Sequence, residues 1–422
     1  MIPRSISNKP THKVVSLLLL FCIVRCSLVM TVDISIFNLT VVIAAGGLGL
    51  LYLLLSNRIY RENFLTFNFT FLVLCIFMVA LAKLSTVNNT YSNLAETYFK
   101  QLVVLLLLWG LYVYLNLCSE NIKKKFVIVY LICIAISAAY TMYVAMVGDD
   151  DIIRLTASGV YDESFTFAYG GFDFIYALVL IYTVLLTALR LKWKTTGAFV
   201  RVSIILLEAL FAFTIIVSGY ATAFVLIFVF TLWQLRPRGF FGLVLFGGVM
   251  FLIILFPWVI TSIIEAIPFI PELTSSRINE LILSLYGSGS SEYISAEGQR
   301  FSRMFWTLKI FFENPLVGGF VENTELPFGY HTEWLEQLAR YGIFTTFLNG
   351  SFWFITYKRI NQDALENDRS NTTKNCVKNA FIMFLVLGFL DPISMVVTAC
   401  PLFVLSPFVP IIFLKGVNYE TL

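Results

Sequence analysis

Residues 199–235, FVRVSIILLEALFAFTIIVSGYATAFVLIFVFTLWQL, decide the fold. A helix that crosses the hydrocarbon core of a bilayer needs about 20 apolar residues. This stretch is too long for one crossing and long enough for two, and Ser218-Gly219 in its middle is the natural point of reversal. Outward from it, further apolar runs occupy 14–30, 36–55, 65–83, 97–117, 126–147, 171–189, 240–263, 332–356, 377–398 and 400–415. Counted with 199–217 and 219–235, they predict an all-α polytopic membrane protein of about 12 transmembrane helices, a single integral membrane domain over 1–422.

Composition agrees. Of 422 residues, 59% are hydrophobic and 13% charged, and the mean hydropathy is +0.84. Soluble domains carry about 25% charged residues. A soluble enzyme, a disordered chain and a DNA-binding domain are excluded, and a net charge of +3 is too small to attract nucleic acid. The runs are too long for an outer-membrane barrel, whose strands alternate over roughly ten residues. The first run follows a basic N-terminus (Arg4, Lys9, Lys13) but precedes no convincing small-residue cleavage site, so it reads as a span.

Basic residues set the orientation. With the N-terminus in the cytoplasm, the inside loops carry Arg58 and Arg61, Lys123 to Lys125, Arg190, Lys192 and Lys194, Arg236 and Arg238, and Lys358 and Arg359. The C-terminus is then cytoplasmic too. Two large segments, 148–170 and 264–331, lie outside, where a membrane protein of this kind carries its chemistry.

Both outer segments are acidic. Residues 148–170 hold Asp149, Asp150, Asp151, Asp162 and Glu163 against Arg154, and 264–331 hold Arg277, Arg300, Arg303 and Lys309 among a larger number of glutamates. Arginine grips phosphate bidentately and keeps its charge. Two readings stand: a diphosphate clamp, or ion pairing with neighbouring acids. Within the second segment, Gln299 to Phe312 has helical spacing, with Phe301, Phe305, Leu308 and Phe312 on one side and Arg300, Arg303 and Thr307 on another. This predicts an amphipathic helix at the outer surface, ended by Pro315 and turned at Gly318-Gly319. His331 then opens the tenth span. The helix dipole there disfavours imidazolium, so His331 reads either as a neutral proton acceptor or as an inert surface residue. Glu333 falls in the first turn, and Glu336 and Arg340 form an i,i+4 pair.

Ionisable groups within spans are costly. Glu208 is expected to pair with a basic or hydroxyl group across the bundle, the alternative being a proton relay; Arg25 and Asp391 lie near outer ends. Asp149 to Asp151 read as a solvated acidic turn rather than a metal site. The seven cysteines, without a CxxC pair, read as small buried hydrophobes, and two histidines make a zinc site unexpected.

The ordered set Gly298-Gln299-Arg300, Glu313-Asn314-Pro315-Leu316-Val317-Gly318-Gly319-Phe320, His331-Thr332-Glu333-Trp334-Leu335-Glu336 and Arg340-Tyr341-Gly342-Ile343 resembles the O-antigen polymerase (Wzy) and O-antigen ligase (WaaL) superfamily. Arg154-Leu155 followed by Gly159 resembles the start of that family's other periplasmic loop. The resemblance implies a glycosyltransferase of GT-C-like, lipid-carrier-using architecture in the bacterial inner membrane, active at the periplasmic face. Its donor and acceptor would be undecaprenyl-diphosphate-linked oligosaccharides, with no cofactor or metal and with a Wzz-like chain-length regulator as partner. It implies catalytic roles for Arg300 and His331 and substrate binding by Arg154, Arg303, Glu333, Glu336 and Arg340. Ligases of the family often have Ser-Arg where this chain reads Ser218-Gly219-Tyr220, so polymerase is expected over ligase, which would transfer the glycan to lipid A–core. Met304 stands where family loops often carry Trp, with Trp306 close by. The expectation from another class is a lipid-linked oligosaccharide flippase.

Overall fold

The structure, a computed structural model, describes residues 10–29, 39–85, 92–148, 152–155, 165, 167–236, 239–255, 296–320, 332–367, 371–391, 393 and 395–413. Every regular element among them is helical. In chain order these are α1 (Pro10–Ser27), α2 (Leu39–Ser56), α3 (Arg58–Phe64), α4 (Phe67–Ser85), α5 (Ser92–Leu117), α6 (Glu120–Val147), α7 (Ile152–Leu155) and α8 (Phe172–Lys192). Then follow α9 (Ala198–Val217), α10 (Ala221–Leu235), α11 (Phe240–Leu255), α12 (Ala296–Glu313), α13 (Glu333–Asn367), α14 (Thr372–Leu390) and α15 (Met395–Cys400).

Six helices (α4, α5, α6, α8, α9 and α14) are long and apolar enough to cross a membrane. The protein is therefore a polytopic helical membrane protein. A seventh crossing is available if α2 and α3 act as one span, bent by 115° where Asn57 accepts a hydrogen bond from the Tyr60 N–H and caps α3. The other expected runs are shorter, broken or reach beyond the described residues. The reversal expected in 199–235 falls at Ser218-Gly219, where Gly219 takes φ +75°, but α10 has only 15 residues. At 1.5 Å per residue it reaches roughly 22 Å, short of a core roughly 30 Å thick.

The last two expected spans, 377–398 and 400–415, are corrected. The first is interrupted: α14 ends at Leu390, Asp391 caps it in an extended conformation, and α15 begins at Met395. The second is no regular helix but a π-helical turn, Pro401–Leu405, followed by a 3-10 helix, Val409–Phe413. Pro401, Pro407 and Pro410 lack the N–H that an α-helical ladder requires, and the Ser406 N–H reaches back to the Pro401 carbonyl at 2.8 Å. Side chains 398–410 are all buried, as a segment apolar on every side should be when it runs through a bundle instead of along its surface.

This irregular chain packs beside α8, the central helix, in which every side chain from Phe174 to Leu185 is buried. The hydroxyls of Thr183 and Thr187 donate to the carbonyls one turn earlier, at 2.8 and 2.7 Å, so neither is left unpaired in the core. The periphery differs. Only 28% of the apolar window of α4 and 33% of that of α9 is buried. Phe67, Phe77, Leu84, Phe199 and Leu206 point outward, forming the apolar surface that acyl chains cover. The seven cysteines are free and buried.

Candidate functional site

The site is built where the chain around Pro315 meets a break in α13. After α12 the Asn314 N–H returns to Ile310, and residues 315–320 turn back through Gly318 at φ +80°. Helix α13 is interrupted at Gly342, at φ +71° and ψ −178°. The two irregular stretches bond to each other: Gly319 N–H to Ala339 O at 2.8 Å, Phe320 N–H to Arg340 O at 3.2 Å, and Ile343 N–H to Pro315 O at 2.9 Å. A Cβ on Gly318 would lie 2.3 Å from the Arg340 oxygen, and one on Gly342 would lie 2.3 Å from the Leu316 oxygen. Only glycine serves at either place, through its tolerance of positive φ and the closeness of the opposing backbone.

The clasp fixes α12 against the first turns of α13. On α12, Thr307 and Ile310 are buried while Phe305, Trp306 and Phe312 are exposed. The face that carries Thr307 and Ile310 therefore meets the protein, while Phe305, Trp306 and Phe312 are free to enter a lipid surface. Thr307 Oγ1 donates to Glu336 Oε1 at 3.1 Å, and the expected Glu336–Arg340 pair forms, with Nη2 to Oε2 at 2.9 Å. Arg303 and Arg300 occupy positions one and two turns before Thr307 on the same helix face.

A second polar chain runs alongside. Gln337 Nε2 donates to Glu333 Oε1 at 2.6 Å, and Asn349 Nδ2 donates to Gln337 Oε1 and to the Tyr98 hydroxyl. Tyr98 stacks on Tyr341 with ring centroids 4.8 Å apart, and Phe320 meets Tyr341 edge-on. Glu333, Glu336, Gln337 and Asn349 are all buried. Carboxylates in a first turn suit the positive end of a helix dipole, and each has a hydrogen-bonding partner, so the burial is tolerated. Asp173 in the first turn of α8 lies within electrostatic reach of Glu333.

The remaining expected residues are distributed as follows. His331 lies outside the described residues, immediately before Thr332, which is buried. Arg154 belongs to α7, whose Ile153 carbonyl accepts from the Tyr220 hydroxyl at 3.5 Å; Tyr220 meets Phe172 and Tyr176 at the start of α8. Tyr176 donates to the Asp391 carboxylate at the end of α14, while Trp334 donates to Leu385 O on the same helix. The backbone of Arg154 and the first turns of α13 thus share one end of the bundle. Asp149 to Asp151 lie outside the described residues, and among the described ones no group of three or more metal-binding side chains occurs.

Glu208 is a correction. It is buried midway along α9, but neither carboxylate oxygen has a hydrogen-bond partner among the described residues, against the expected pairing. Across from it, Tyr182 hydrogen-bonds Thr231 at 2.8 Å instead. Sequence reasoning missed Asn349, Gln337 and Tyr98. The signal for Asn349 was present, since an amide inside an apolar run must find a partner; Tyr98 carries no such mark. No family model matches the chain, and no curated protein matches it either.

Proposed function

We propose that the protein is a surface-polysaccharide (O-antigen) polymerase. It transfers an undecaprenyl-diphosphate-linked glycan onto the non-reducing end of another lipid-linked repeat unit. The observation that carries this reading is the docking of α12 onto the start of α13 through Thr307, Glu336 and Arg340. That docking brings the helix positions of Arg300 and Arg303 and the chain immediately after His331 to one end of the bundle.

In the reaction the acceptor hydroxyl attacks sugar C1, the bond from C1 to the diphosphate oxygen breaks, and undecaprenyl diphosphate departs with the electron pair. His331 takes the hydroxyl proton. Arg300, with Arg154 and Arg303, stabilises the charge on the leaving diphosphate, a task that guanidinium groups perform without metal. The Glu336 carboxylate, already held by Thr307, orients Arg340, and Glu333 borders the acceptor side. The exposed aromatic side of α12 suits a lipid surface, from which both lipid-bearing reactants arrive. The reading includes about 12 crossings, both termini in the cytoplasm and an active site on the periplasmic face of a bacterial inner membrane.

The test supplies purified protein with lipid-linked repeat units alone. Chains that lengthen support the polymerase; product that forms only after lipid A–core is added identifies a ligase. One observation favours a second reading, a lipid-linked oligosaccharide flippase: the carboxyl group of Glu208 is buried at mid-helix without a hydrogen-bond partner among the described residues. That reading predicts no new glycosidic bond, and transbilayer movement that Glu208→Gln abolishes.

A further inference from the structure

We propose that the end of the bundle opposite the α13 cluster carries a second ligand site, an anion pocket built around Lys123 that accepts a phosphate group. A cavity of about 80 Å³ opens there between α5, α6, α8, α13, the start of α14 and the irregular chain at Phe408. A cavity admits a first water at roughly 10–15 Å³, so this one has room for one small polyatomic anion.

Its charges are unevenly satisfied. Asp363 Oδ2 accepts from the Tyr112 hydroxyl at 2.6 Å, from Asn116 Nδ2 at 3.1 Å and from Arg359 Nε at 3.2 Å. Its negative charge thus has Arg359 as an ion-pair partner. Lys123 is the reverse case. It is only 7% exposed, yet its ammonium makes no hydrogen bond or ion pair among the described residues. Asp363 and Glu120 act on it only from beyond pairing distance, and its nearest ring, that of Phe408, is centred 5.6 Å from Nζ. An ammonium on a buried side chain that no carboxylate pairs directly is costly, and a ligand anion reduces that cost.

The remaining lining mixes both signs: Glu120 adds a second carboxylate beside that of Asp363, and the other charged or polar groups are donors. Lys192 contributes a second cation, and Thr373 comes from the first turn of α14, where helix N–H groups lack intrahelical partners and the dipole is positive. Two lysines, a hydroxyl and a helix N-terminus form a donor set suited to phosphate. The phosphate can arrive as a free anion or as the headgroup of a phospholipid in the leaflet at this end.

Two measurements on the purified full chain separate these sources. Thermal unfolding is followed with added inorganic phosphate against chloride at equal ionic strength. Native mass spectrometry counts phospholipid retained after extraction from vesicles of phosphatidylglycerol and phosphatidylcholine. Wild type is expected to be stabilised by phosphate if the anion is free, or to retain phosphatidylglycerol if it is a headgroup. Lys123→Met should weaken whichever binding occurs about tenfold, as the loss of one charge-assisted contact implies, while Lys123→Arg keeps most of it and the exposed Lys124→Met all of it. Lys192→Met should weaken the same binding and carries the test if Lys123→Met does not fold. Wild type that binds neither probe, or a Lys123→Met protein that binds like wild type, overturns the proposal.

Discussion

Two buried acidic regions of this molecule are handled in opposite ways. At the start of α13, Glu336 is held by Thr307 and Arg340, and Glu333 by Gln337. Midway along α9, Glu208 is equally buried and its oxygens meet no donor among the described residues. Burying a carboxyl group costs less where hydrogen-bond donors meet it than where none does. The first arrangement is a hydrogen-bonded cluster in which each carboxyl group is held by a neighbour; the second is a lone side chain that the packing encloses.

Substitutions can break this contrast, and the largest effect belongs to the paired region. Arg340→Ala removes the cation beside a buried carboxylate and is expected to cost about 3–5 kcal/mol of unfolding free energy, read from denaturant titration in detergent. A cost below about 1 kcal/mol would mean that Glu336 does not depend on its cation. Next is Gly342→Ala, which sets a Cβ 2.3 Å from the Leu316 oxygen at positive φ. Left-handed strain and overpacking together predict a loss of about 2–4 kcal/mol and loosening of α12, measured by proteolysis near Pro315. Gly350→Ala, where nothing lies within 4 Å, should be neutral or slightly stabilising in the same helix.

Thr307→Val keeps the shape and removes one hydrogen bond to a charged acceptor. It should cost about 1.5–3 kcal/mol, and less than that if the side chain of Arg340 shifts to compensate. Glu208→Gln should change stability by less than about 1 kcal/mol, because neither carboxyl oxygen makes a hydrogen bond among the described residues for the substitution to break. A large loss there would instead reveal a partner for Glu208 and erase the contrast.

Much of the paired region was legible in the sequence. The i,i+4 spacing of Glu336 and Arg340, the amphipathic pattern of Gln299 to Phe312 and the glycines after Pro315 are local signals, and the structure uses all three. What was not legible depends on tertiary placement. The apolar run at 400–415 has the composition of a crossing helix, but hydropathy does not distinguish a lipid-facing helix from a proline-broken chain inside the bundle. Nor could spacing reveal that Asn349 reaches Gln337 and Tyr98, contacts between residues 12 and 251 positions apart. Glu208 was read as paired because most acids within membranes are; its isolation follows from which faces of α8 and α9 meet.

The central claim is that the arginines of α12 act on a departing diphosphate while Glu208 takes no part. The most direct measurement is chain lengthening in proteoliposomes that hold only lipid-linked repeat units, comparing wild type with Arg300→Ala and Glu208→Gln. Arg300→Ala is expected to slow lengthening by roughly 10²–10³-fold, as the loss of one donor to a developing oxyanion does, with Glu208→Gln within about twofold of wild type. Lengthening that survives Arg300→Ala but stops with Glu208→Gln would contradict the account.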